Sequence, residues 1–150
     1  MVFMIPREWS LVARAVAESC GPAERGRIDR LLAESLEHGI EDNMAARSES
    51  LARHWLGARP PDPERAIHYC EIAGQRALAA FRSDAAGELL GAALELHGEV
   101  EDERRCRLLL GLGRAQRLSG SAEFRSTLLS ASRLALALGD DDLLAESVLA

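Results

Sequence analysis

In the stretch PERAIHYCEIAGQRALAAF, residues 63–81, the residues Ile67, Cys70, Gly74, Ala77 and Phe81 recur at steps of 3, 4, 3 and 4. A helix turns by about 100° per residue, so this spacing lays all five in one stripe. The same rhythm runs through Phe124, Leu128, Ala131, Ala135 and Leu138, and through Met44, Ser48, Leu51 and Trp55. No window of comparable length alternates with period two. The chain is therefore expected to be all-α, each helix burying one stripe against another helix. Aromatic residues make up only 4% of the chain against 47% hydrophobic residues overall, so the core must be built from Leu and Ala. Such a core suits closely approaching helices better than a sheet, which draws on β-branched and aromatic residues.

Turn and cap residues divide the stripes. Pro22 stands at a first helical position, where a missing N–H costs nothing. Asp62 precedes Pro63 as an N-cap, Ser83 or Asp84 is expected to cap the next helix, and Gly98, Gly120 and Gly139 close others. The expected helices span 7–19, 22–38, 41–57, 63–81, 84–97, 101–118, 121–138 and 141–149, roughly eight in all. Short loops make neighbours antiparallel hairpins. A tetratricopeptide-like repeat has a period of about 34 residues and places small residues where paired helices touch. With Gly74 as the small residue of a first helix, Ala86, Leu90 and Ala93 fall at the matching positions of its partner. The next unit, around Leu109, Leu112 and Gly113, fits in its first helix. Its second helix is short by about one residue, with Arg125 where Ala is expected.

Polar residues offer little for chemistry. His54, His68, Tyr69 and Cys70 cluster around a proline-rich corner, but His68 and Cys70 project to nearly opposite sides of a helix. Two histidines without a third ligand make a poor zinc site. The reading is a packed corner closed by Trp55 and Tyr69, with no metal bound. Asp140, Asp141 and Asp142 precede a helix and suit its positive end. Glu99, Glu101, Asp102 and Glu103 followed by Arg104, Arg105 and Arg107 suit a solvated face. No GxSxG occurs, and all 18 basic residues are Arg, so neither a Schiff-base lysine nor a phosphate-loop lysine exists. Cys20, Cys70 and Cys106 are read as small hydrophobic residues. A net charge of −6 opposes non-specific attraction to DNA. No catalytic residue, cofactor or metal is expected, and no membrane span. A cytoplasmic location is expected.

The ordered series SLARHWL, PERAIHYCEIAGQRALAAF, AALEL, CRLLLGLGRAQRLSG and FRSTLLSASRLALALGDDDLLAESVLA resembles a known region. It is similar to the tetratricopeptide-like helical region of actinobacterial LuxR-type and adenylate-cyclase-linked AAA ATPase regulators, relatives of the MalT group. The resemblance implies residues 1–40 as a helical linker like the end of an ATPase-associated winged-helix segment. It implies 41–150 as one continuous domain of repeats stacked in a right-handed superhelix. It also implies a non-enzymatic scaffold that binds a protein or small inducer and restrains or releases a partner domain.

Hairpin repeats bury their apolar faces by stacking, and terminal units need a polar outer face. The last expected helix carries Leu143, Leu144, Val148 and Leu149, so an apolar end surface is expected there, covered by another copy or another chain. Two rival readings stand beside this one. One is a small enzyme or small-molecule sensor with a pocket between helices, using His54, His68 or Arg residues. The other is a remnant of a larger regulator. The inward face reads mostly as Leu, Ala and Gly, which favours the module.

Overall fold

The computed structural model describes residues 20–38 and 44–150, and among these residues it contains seven helices and no strand. They are α1 (Pro22–Glu37), α2 (Met44–Gly57), α3 (Pro63–Ala79), α4 (Ser83–His97), α5 (Glu103–Ser119), α6 (Phe124–Leu138) and α7 (Asp141–Leu149). The helix expected at 7–19 lies outside the described residues. None of the seven is long and apolar enough to cross a membrane.

Asp62 and Asp140 cap helices as expected, and Asp102, read from the sequence as part of a solvated run, caps a third. The carboxylate of Asp62 accepts the Arg65 N–H at 3.2 Å, that of Asp102 the Arg105 N–H at 2.8 Å, and that of Asp140 the Leu143 N–H at 2.9 Å. Each satisfies one orphan donor of a first turn. The start of α4 departs from expectation. Arg82 is the N-cap and gives no side-chain hydrogen bond, and Ser83 is already helical. At the far end of α3 the expected stripe also fails. Ile67, Cys70, Gly74 and Ala77 are buried, but Phe81 is 83% exposed with φ 56°. The chain has left the helix after Ala79, and Phe81 turns outward.

Consecutive helices pack antiparallel. Gly26 lies against Gly57 and Asp29 against His54, Gly74 against Leu90, Gly113 against Leu128, and Ser132 against Ser147. Alternate helices also touch, α3 with α5 and α5 with α7. One core cluster joins α1 through α5 and includes Leu51, Trp55, Ile67, Cys70, Leu90 and Leu108. A second joins α5, α6 and α7 around Cys106, Leu110, Ala131 and Leu143. Leu94 packs against both, and Ala77, Ala86 and Ala115 tie α3, α4 and α5 together. Each fully buried leucine contributes roughly 1.5–3 kcal/mol, and the many alanines let the helix axes approach closely.

The expected apolar end needs correction. Asp140 caps α7 so that it folds back on α6, and Leu143 becomes 6% exposed and Leu144 packs against the second cluster. Of the four residues, only Val148 (76%) and Leu149 (83%) face outward. Cys70 and Cys106 are buried as expected, whereas Cys20 is only partly buried and precedes α1.

Candidate functional site

The side-by-side packing of α3, α5 and α7 brings polar residues of alternate helices onto one shared face. Arg104 at the start of α5 reaches back to α3, with Nη1 3.0 Å from Glu64 Oε2 and Nε 3.3 Å from Glu71 Oε2. At the other end of the face, Arg114 Nη2 lies 2.9 Å from Glu146 Oε1 of α7. Between them is an open cleft of ≈ 300 Å³ lined by Glu71, Gln75, Arg107, Gly111, Arg114 and Glu146. Gly111 forms part of its floor because a Cβ there would sit 3.0 Å from Leu90 Cδ1 and 3.1 Å from Gln75 Nε2. Arg107 pairs with Glu103 one turn away on α5.

Guanidinium, carboxylate and amide groups thus alternate along the cleft. That set binds by charge-assisted hydrogen bonds, and no histidine, cysteine or serine lines it. Sequence reasoning missed this face. The stripe spacing identifies which residues are buried, but not that Arg104 and Arg114 bridge to helices about a repeat away. Of the acid–base run, Arg107 pairs locally with Glu103 and Arg105 with Glu99, whereas Arg104 bridges to α3.

The proline-rich corner has a different centre from the one its sequence suggests. Glu37, at the end of α1, collects the corner. Its Oε1 accepts the Trp55 indole N–H at 3.0 Å, and its Oε2 accepts Arg65 Nη1–H at 2.8 Å. The guanidinium of Arg65 also lies 4.8 Å from the Trp55 ring centroid, and that of Arg30 lies 5.7 Å away. Trp55 and Tyr69 are both buried here. Burial first, then the hydrogen bond and charge of Glu37, push the Tyr69 phenol up to about 12. His54 Nδ1 is 2.9 Å from Asp29 Oδ1, while His68 is exposed and stands edge-on to Tyr69 at 5.0 Å. The two histidines therefore serve different neighbours. Among the described residues no group of three or more His, Cys, Asp or Glu is placed to hold a metal ion.

Burial pushes the Cys70 thiol up to about 11 and raises that of Cys106, whose Sγ–H donates to the Ala131 carbonyl at 3.4 Å. Both are neutral near pH 7 and act as packing groups. Comparison with known proteins matches the chain to no family model, no curated protein and no solved structure. What the geometry itself defines is an all-helical protein with a charged cleft across alternate helices and a polar hub at one corner.

Proposed function

We propose that this chain is a non-enzymatic, tetratricopeptide-like repeat module of a signalling or transcriptional regulator, of the LuxR-type and MalT-like kind. It binds a protein segment or a small inducer along the shared face of α3, α5 and α7. The observation that carries the reading is the recurrence of one lock. Gly74 receives Leu90 in the α3–α4 hairpin, and Gly113 receives Leu128 in the α5–α6 hairpin. The second lock falls one residue short of the first hairpin's register, although α4 and α6 are both 15 residues long. A lock that recurs from hairpin to hairpin, with contact between alternate helices, lets helix pairs stack into a right-handed superhelix and leaves α3, α5 and α7 on its inner side. The Arg–Glu alternation of that side suits an extended, polar chain. Three free cysteines agree with a reducing, cytoplasmic setting.

Selecting peptides from a random displayed library against the chain tests this reading. Peptides that bind should lose at least about tenfold in affinity to the double variant Arg107→Glu, Arg114→Glu, with the melting temperature of the variant close to that of the parent. Failure to select any peptide, or indifference of the selected peptides to these substitutions, would count against it.

A further inference from the structure

Helix α1 is apolar on two sides. One side meets α2: Gly26 and Ala33 are buried, a Cβ on Gly26 would fall 3.0 Å from the Gly57 carbonyl, and Asp29 reaches His54. On the other side Ile28, Leu31 and Leu32 are 41%, 66% and 43% exposed. At about 100° per residue, the middle of that stripe points roughly 160° away from Gly26 and Ala33. A surface helix normally turns polar residues outward, and one that is apolar on both sides belongs between two neighbours. Among the described residues α1 has only the first of them, α2, and no helix covers Ile28, Leu31 and Leu32.

The sequence just before α1 carries a matching stripe. In residues 7–19, which lie outside the described residues, Trp9, Val12, Ala13, Val16 and Ala17 recur at steps of 3, 1, 3 and 1. On the helix expected there they share one side, while Arg7, Arg14 and Glu18 fall on the opposite half with Leu11 among them. Only Cys20 and Gly21 separate that helix from α1. Cys20 lies in a bend and Gly21 is extended, at φ −65° and ψ 160°, so the backbone changes direction there. A connection this short joins two helices as an antiparallel hairpin.

We propose that residues 7–19 form a helix that folds back on α1 and covers the Ile28–Leu31–Leu32 stripe with Trp9, Val12 and Val16. The lengths agree, since the segment would run about 20 Å along the roughly 24 Å of α1. Counted from the turn, Ala13 comes level with Ile28, and Trp9 with Leu31 and Leu32. The tether selects this occupant over a second copy or a separate protein. A segment two residues from α1 faces the stripe at an effective concentration of about millimolar or more, which a free partner has to match. Arg7, Arg14 and Glu18 then give the covered end a charged outer side, as the end of a helical stack requires.

NMR of the full chain tests the docking. The Trp9 indole protons should show nuclear Overhauser effects to methyl groups of Ile28, Leu31 or Leu32. In an equal mixture of labelled and unlabelled chain, a filtered experiment that detects only contacts between molecules should show none of them. Leu31→Glu alters a side chain that α1 holds away from the core, so the rest of the fold should stand. It should lower amide-exchange protection at residues 9–17 by at least about tenfold, with the protection of α3 unchanged. Trp9→Ala should lower the same protection from the other side of the contact. Absence of the Trp9 contacts, their appearance between molecules in the mixture, or protection at 9–17 that ignores both substitutions would each overturn the proposal.

Discussion

Leu90 fills the space that a side chain on Gly74 would need: a Cβ there would fall 2.6 Å from Leu90 Cγ. Leu90 is fully buried and also closes over Gly111, so it has little room to yield. Gly74→Ala should therefore destabilise the chain by about 1–3 kcal/mol through overpacking, although alanine is the better helix former. Gly87, on the partner helix α4, has nothing within 4 Å of its would-be Cβ. Gly87→Ala should stabilise by about 0.8 kcal/mol. Urea unfolding of both variants checks the pair. Equal effects of the two substitutions would mean that α3 and α4 do not interlock at Gly74.

Replacing Phe81 by glycine should raise stability, because the left-handed closure of α3 then costs nothing. The gain is about 1 kcal/mol, read as a higher denaturant midpoint with unchanged slope. Phe81→Ala keeps the Cβ and so should give none of this gain.

Tyr69 is the only tyrosine in the chain, so its ionisation can be followed directly by phenolate absorbance. Burial and the Glu37 carboxylate hold its phenol up to about 12. The folded state keeps the proton more tightly than the unfolded chain, whose phenol titrates near 10. The stability this contributes is complete below about pH 10 and is lost as pH rises toward 12. Glu37→Gln should move the titration only part of the way down, since burial is the larger cause. A folded protein whose tyrosine titrates at the free value would show that the corner is open to water.

On the acid side the sensitive group is Asp102. Burial raises its carboxyl, but the Arg105 N–H, the His97 ring at 2.9 Å and the charges of His97 and Arg104 outweigh that and leave it below the ordinary value. Its contribution to stability is present above the unfolded carboxylate value, near 3.9, and is lost as pH falls through the lower folded value. Asp102→Asn keeps a good cap and removes the charge. The gap in stability between parent and variant should therefore be present at neutral pH and close in strong acid. A gap that is independent of pH would assign Asp102 a capping role alone.

The sequence displayed the helices because stripe spacing is a local property. It also displayed the Gly74 register with Ala86, Leu90 and Ala93, since short antiparallel connections leave few ways to align two stripes. The second helix of the next unit is expected from the sequence to be shorter by about one residue, but α4 and α6 are both 15 residues long, and the one-residue slip shows only in which leucine meets Gly113. What lay hidden depends on how hairpins sit against each other. Glu37 reaches Trp55, Tyr69 and Arg65 because α1 crosses the α2–α3 corner, and no spacing encodes that crossing. Arg104 looked like a member of a solvated run until α3 was laid beside α5. Phe81 extended an apolar stripe by one more step, and nothing in the spacing marked it as the left-handed residue, a place where glycine is the usual signal. Leu143 and Leu144 fit an amphipathic stripe, but which partner it faced depended on the turn at Asp140.

The claim that matters most is that α3, α5 and α7 together form the binding face. Amide NMR of the labelled chain, titrated with a peptide selected against it, measures this directly. The account predicts shifts concentrated at Glu71, Gln75, Gly111 and Arg114, with the α1–α2 corner unmoved. Shifts centred on His54 and Asp29, or scattered without a centre, would contradict it.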